Sequence, residues 1–224
     1  MKQVFNDKAS LVLRQMLRYP GREWVVRDFE KDLGLGRGWA AKVLALLREK
    51  GHLQGIARGR SAGAVLRDGE ELIGEWVRHY DFSMNKTHAY YTPDPDPLPK
   101  IKRFFRERSS AAAYALTLHT GANLITHFVR TPNIYLYLQA DDFKEALQDL
   151  RRALDLKELK RGGNVYLVEP YYKKAVFFGS QKIKGYPVVS HLQLYLDLYH
   201  FPERGREQAE YLLRRLKENG DLLA

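Results

Sequence analysis

Between Lys31 and Arg67 the chain carries eight basic residues (Lys31, Arg37, Lys42, Arg48, Lys50, Arg58, Arg60, Arg67) against two acidic ones, Asp32 and Glu49. That short stretch holds +6 of a total formal charge of +10. Cations gathered this densely attract a polyanion, and nucleic acid is the commonest large one. Their spacing adds direction. Ala40, Val43, Leu44 and Leu47 recur at i, i+3, i+4 and i+7, one apolar helix face, while Arg37, Ala41, Lys42, Ala45 and Arg48 fall on the other. A helix that reads the major groove needs this division, because one side packs on its module while small and cationic residues enter the groove. Arg37, Trp39 and Lys42 are accordingly assigned to base edges or the groove wall, with Lys31 and Arg48 flanking. Farther on, Arg58-Gly59-Arg60-Ser61-Ala62-Gly63 sets two guanidinium groups among glycines. Such a tip can bring Arg58, Arg60 and Ser61 to a phosphate or a minor groove. Taken alone, it reads equally as a solvated loop.

Other chemistries find less support. The histidines at 52, 79, 88, 119, 127, 191 and 200 show neither His-x-x-x-His spacing nor the adjacent glutamate of a metalloprotease helix. No phosphate loop and no Gly-x-Gly-x-x-Gly occurs. Gly179-Ser180 resembles the opening of a nucleotidyltransferase motif, but that chemistry needs two carboxylates on a neighbouring strand to hold a divalent metal. The residues that follow, Gln181-Lys182-Ile183-Lys184-Gly185, supply cations instead. Asp94 and Asp96 match an Asp-x-Asp metal pattern, yet the prolines around them deny it a rigid strand. The tyrosines at 135, 137, 166, 171, 172, 195 and 199 could line a ligand pocket or a partner surface; their periodicity favours core packing. No catalytic, cofactor-binding or metal-binding residue is assigned.

The elements that would carry these residues follow from periodicity and punctuation. Asn6 or Asp7 can cap a helix over 8–18, which Tyr19-Pro20-Gly21 stops. Residues 23–26 read as an extended lead-in, Val26–Leu33 as a short helix and Gly34-Leu35-Gly36 as a tight turn. A second helix runs from Arg37 to about Lys50, followed by two extended runs at 53–57 and 64–66. This is the pattern of a helix-turn-helix with a β-wing. After Asp68 another helix reaches about Tyr80. Four prolines at every second position from Pro93 to Pro99 favour an extended, semi-rigid segment. The expected organisation is a winged-helix domain over 1–82, a Pro-rich linker over 83–99 and a mixed domain over 100–224. In the last, helices are expected at 101–108, within 111–128, from Asp141 or Asp142 to Leu154, after Ser190, and from Glu203 to about Asn219. Strands are expected at 134–138, 165–168 and 175–178. Irregular interleaving of strands and helices implies an α+β class.

Composition sets the outer bounds. Hydrophobic content of 45% and charged content of 29% are ordinary for a globular protein. Without cysteine there can be no disulfide, thiolate metal site or cysteine nucleophile. No apolar run approaches the length of a membrane span, and the first residues turn polar too soon for a signal peptide, so a cytoplasmic protein is expected.

One stretch carries a family likeness. Residues 185–198 read Gly-Tyr-Pro-Val-Val-Ser-His-Leu-Gln-Leu-Tyr-Leu-Asp-Leu, followed by Arg204-Gly205 and Ala209-Glu210-Tyr211-Leu212-Leu213. Together with the winged-helix pattern, this resembles the AbiEi-type antitoxins of type IV toxin–antitoxin systems. The resemblance implies an N-terminal winged helix joined to an α+β domain, in a repressor of its own promoter. It also implies double-stranded DNA, often at inverted repeats, as a partner, and a nucleotidyltransferase-like toxin as the activity countered. A homodimer fits such an operator. A second reading, from the residues alone, makes the C-terminal half a nucleotide-binding sensor or enzyme that the winged helix merely addresses.

Overall fold

The structure is a computed structural model and describes residues 4–58, 61–107, 112–159 and 162–219. It divides into two compact units, a smaller one ending at Tyr80 and a larger one beginning at Asp81. The class is mixed α+β.

The smaller unit opens with helix α1 (Asp7–Arg18), capped by Asn6, whose side chain accepts from the Ala9 amide at 3.0 Å. Helix α2 (Val26–Leu33) has Asp28 in its first turn, accepting from the Val25 amide at 2.9 Å. It ends on Gly34 at φ +64, a left-handed conformation that glycine adopts without a Cβ penalty. Helix α3 (Arg37–Glu49) follows after two residues. Strands β1 (Leu53–Arg58) and β2 (Ser61–Leu66) pair antiparallel, Leu53 opposite Leu66 and Arg58 opposite Ser61. Helix α4 (Gly69–His79) is capped by Asp68, which accepts from the amides of Glu70 and Glu71.

These elements close on one apolar core. Val12, Leu13, Met16, Phe29, Ala40, Val43, Leu47, Leu72 and Trp76 are all fully buried. Trp24 stacks on Phe29 with ring centroids 5.0 Å apart. Its backbone exchanges two 2.8 Å hydrogen bonds with Ala64 of β2, so the lead-in to α2 is fastened to the hairpin. The expected extended lead-in is thus reduced to this single bridge.

The larger unit is built on a seven-stranded sheet. Its elements are β3 (Lys86–Tyr91), α5 (Leu98–Glu107), β4 (Ala112–Leu116), α6 (Leu118–Asn123), β5 (Ile134–Ala140) and α7 (Phe143–Ala153). There follow β6 (Lys157–Glu158), β7 (Val165–Glu169), β8 (Gln181–Ile183), β9 (Tyr186–Val188), α8 (His191–Tyr199) and α9 (Gly205–Asn219). The strand order is β6-β3-β7-β5-β4-β9-β8, with β5–β7 and β4–β9 parallel and the other pairs antiparallel. Asp142 caps α7 and Ser190 caps α8, as their positions before apolar-periodic runs predict.

Several expectations need correction. Residues 83–99 are not a linker throughout, because Lys86–Tyr91 forms a strand between β6 and β7. Helix α5 begins at Leu98 and takes in Pro99, which fits because the first turn of a helix leaves its amides unpaired anyway. The alanines of 112–116 form a strand rather than a helix, since pairing on both sides, with β5 and β9, outweighs helical preference. Conversely, Ala175–Phe177 is a 3-10 turn closed by short-range backbone bonds, not a strand. A four-residue apolar run without alternation does not distinguish the two. The hairpin of β8 and β9 lies outside the strands expected from sequence. Lys184 and Gly185 form its turn with both φ angles positive, +51 and +81.

Candidate nucleic-acid interface

Helix α3 divides as its periodicity demands. Ala40, Val43, Leu44 and Leu47 are buried, while Arg37, Ala41, Lys42, Ala45 and Arg48 are exposed. Trp39 is half-buried, at the border of the two faces. Lys31 is exposed in the last turn of α2. Lys31 at the end of α2 and Arg37, Lys42 and Arg48 along α3 are thus exposed on adjoining elements of one unit, over its apolar core.

The four cations are not equivalent. Arg37 Nε donates to Glu30 Oε2 at 2.6 Å, a pair in which both side chains stay exposed. Arg48 runs alongside β1, its Nε 3.8 Å from where a Cβ on Gly55 would stand. Among the described residues no acidic side chain pairs with Lys31, Lys42 or Arg48. Arg60 lies outside the described residues, as do the side chains of Arg58 and Ser61; the backbones of the last two pair at the end of the β1–β2 ladder.

Other cations of the unit are structural, and sequence reading did not separate them. Arg22 lies 4.0 Å from the Trp24 ring centroid and within 3.7 Å of Asp28 and 3.6 Å of Asp32. Lys50 Nζ lies 2.5 Å from Glu75 Oε1, and the buried His52 places Nε2 2.6 Å from Glu75 Oε2. Burial alone would raise the Glu75 pKa, but the hydrogen bonds and charges of Lys50 and His52 outweigh it and hold the carboxyl below its ordinary range. Lys50 thus contributes to the +6 of the sequence without serving the exposed face of α3.

The alternative chemistries can be placed as well. Asp94 accepts from the Asp96 amide at 3.1 Å and forms an ion pair with Lys100 Nζ at 2.6 Å, which makes it a turn residue leading into α5. Ser180 is exposed in the turn before β8. Among the described residues no group of three or more His, Asp or Glu side chains is arranged to hold a metal ion. Of the seven tyrosines singled out above, Tyr135, Tyr137, Tyr172 and Tyr195 are buried, Tyr166 and Tyr199 half-buried, and Tyr171 is 44% exposed.

In the larger unit, one polar cluster sits inside the core. Asp197 on α8 is fully buried and accepts from Thr117 Oγ1, from Tyr137 Oη at 3.0 Å and from Gln193 Nε2 at 2.7 Å. His119 Nδ1 meets Gln208 Oε1, and Gln208 Nε2 donates to Asn123 Oδ1 at 3.0 Å. Gly205 opens α9 where a Cβ would stand 2.5 Å from the Leu198 carbonyl oxygen and 2.7 Å from Phe201 Cβ. The residues that carry the family likeness, Ser190, Gln193, Asp197 and Gly205, therefore share a structural basis: they cap α8, fasten it to the sheet and let α9 approach it.

Among described residues, no helix is long and apolar enough to cross a membrane. Neither curated proteins nor solved structures give a match to the chain. The model of one family does, described as transcriptional regulator, AbiEi antitoxin, type IV toxin–antitoxin system, over residues 65–217. That span begins in β2 and takes in α4 and nearly all of the larger unit, leaving α1 to α3 ahead of it. With well over half of its 224 residues so matched, the chain belongs to the AbiEi antitoxin family of type IV toxin–antitoxin transcriptional regulators.

Proposed function

We propose that the smaller unit is a winged-helix domain that binds double-stranded DNA, and that the chain represses its own promoter as the antitoxin of a type IV pair. In this reading α3 enters the major groove, with Arg37, Trp39 and Lys42 at base edges or the groove wall. Lys31 and Arg48 flank it on phosphates, and β1–β2 is the wing, whose Arg58, Arg60 and Ser61 meet the backbone or minor groove. The observation that carries the reading is the two-sided burial of α3, with Arg37, Lys42 and Arg48 all outward over a closed apolar core.

Membership in the family supports the regulatory role and the absence of a catalytic one. A homodimer on an inverted-repeat promoter, and a nucleotidyltransferase-like toxin as the activity opposed, complete the assignment. Cytoplasmic localisation follows from a DNA target.

Gel shifts of the full chain on the duplex upstream of its own reading frame, across a salt series, test it. Binding is expected with a steep fall in affinity as salt rises, because each neutralised phosphate releases counterions. No duplex affinity even at low salt would overturn the DNA-binding role and leave the unit as a protein-contact module.

A further inference from the structure

Glu30 and Arg37 face each other across the turn between α2 and α3, with Arg37 Nε 2.6 Å from Glu30 Oε2 and the side chains 62% and 42% exposed for Arg37 and Glu30 respectively. Each stands at the unfavourable end of its own helix. Glu30 lies in the last turn of α2, where the helix dipole disfavours an anion. Arg37 is the first residue of α3, where the dipole disfavours a cation, and α3 has no acidic residue in its first turn to offset it. An exposed ion pair adds little stability. Stability of the fold therefore gives a poor account of why these two residues are where they are.

The shape of the guanidinium gives a better one. Its five N–H donors form a rigid planar array with two usable forks, one through Nε and one through the two terminal nitrogens. Glu30 engages Nε, which leaves the terminal fork open and fixes the plane in which it points. Two parallel donors at that end match the O6 and N7 acceptors of guanine in the major groove. A free arginine at this position would sample many rotamers and would meet phosphate as readily as a base.

We propose that Glu30 is a positioning residue for specificity, which holds Arg37 so that its terminal nitrogens address one guanine. This rests on the reading of α3 as the DNA-contacting helix. The carboxylate also repels phosphate, so it lowers affinity for every duplex while sharpening the choice among them.

The full-length chain is incubated with a pool of duplexes carrying a randomised core, the bound fraction is sequenced, and affinity for the unselected pool is measured alongside. The wild-type chain enriches guanine at one position per α3 helix, and Arg37→Ala removes that enrichment. Glu30→Ala lowers it about tenfold at that position and leaves the other positions unchanged. Glu30→Gln keeps an acceptor oxygen for Nε without the charge, so it retains most of the guanine preference while binding the unselected pool more tightly. Loss of folded protein lowers the amount of duplex bound but leaves the base profile of the bound fraction intact, so amount and profile together separate it from mispositioning. Unaltered guanine preference in Glu30→Ala overturns the proposal, as does a loss spread evenly over all positions. A wild-type chain that enriches no sequence removes instead the reading of α3 itself.

Discussion

His52 Nε2 and Glu75 Oε2 lie 2.6 Å apart, and the second oxygen of the same carboxylate holds Lys50 Nζ at 2.5 Å. One side chain of α4 thereby closes the corner at which α3 turns into β1. His52 is only 3% exposed, so its ring nitrogen has no ready water to replace the carboxylate. Removal of the carboxylate is expected to loosen the attachment of the hairpin to α3, although neither residue lies on the face assigned to DNA.

The pH dependence of this corner has a definite sign. The folded pKa of Glu75 is held below its ordinary 4.5, against the opposing effect of burial, by Lys50 and His52. The stabilisation is therefore fully present above pH 4.5 and is lost as pH falls through the lower, folded value. Glu75→Ala is expected to cost about 2 kcal/mol near neutral pH, the worth of hydrogen bonds to a charged group. Urea unfolding at about pH 7 and about pH 3 checks it, with the gap between wild type and variant narrowing in acid. A gap of constant size would show that the carboxylate contributes no charge-dependent stability.

Asp197 offers a second test, in the larger unit. Its carboxylate gathers Thr117, Tyr137 and Gln193 in a site closed to water. Tyr137→Phe removes one donor while Thr117 and Gln193 still hold the carboxylate, so a loss of about 1–2 kcal/mol is expected. Asp197→Ala strands several buried donors at once and should cost about 3 kcal/mol or more. The double variant should cost less than the sum, because both changes break the same bond. Strict additivity in chemical denaturation would mean that the cluster is not one network.

What the sequence discloses here depends on whether the deciding contact is local. The caps at Asn6, Asp68, Asp142 and Ser190 precede periodic runs, and each side chain accepts from an amide two or three residues on. The division of α3 is equally local, because Ala40, Val43, Leu44 and Leu47 share a face wherever the helix is packed. Strand β4 is another matter: its alanines become a strand only through β5 and β9, which come much later in the chain. The pairing of Arg37 with Glu30 spans seven residues and a turn, so no helical spacing rule exposes it. Lys50 counted toward the cationic stretch, and only the position of α4 shows that Glu75 has claimed it.

Gly205 tests the tight approach of α9 to α8. A methyl group there would meet the Leu198 carbonyl oxygen at 2.5 Å, a backbone atom that cannot swing aside. Gly205→Ala is expected to destabilise the larger unit by about 1–3 kcal/mol, the range for overpacking a close contact. A thermal midpoint equal to wild type would show that α9 can shift away at no cost.

The arginines proposed for a wing should act on all duplexes alike. Arg58 and Arg60 flank Gly59 and are assigned to phosphate, where charge rather than base identity decides the contact. Replacing both with alanine is expected to weaken binding to specific and unrelated duplexes by similar factors, and to lower the salt slope by about two. Binding isotherms over a salt series read both quantities. An unchanged slope would remove the wing from the interface while leaving α3 in it.

Lys42 separates base reading from backbone attraction within α3. It is exposed near the middle of the outward face, and among described residues it has no acidic partner to release on binding. Lys31, by contrast, sits in the last turn of α2 and is proposed to meet a flanking phosphate. Lys42→Ala is therefore expected to cut discrimination between the preferred duplex and a single-base variant by about 1–3 kcal/mol. Lys31→Ala should lower affinity for both duplexes equally and reduce the salt slope by about one. Competition binding with the two duplexes at fixed salt distinguishes the outcomes. If Lys42→Ala instead weakens both duplexes to the same extent, Lys42 meets only phosphate, and sequence preference must come from Arg37 or from DNA shape.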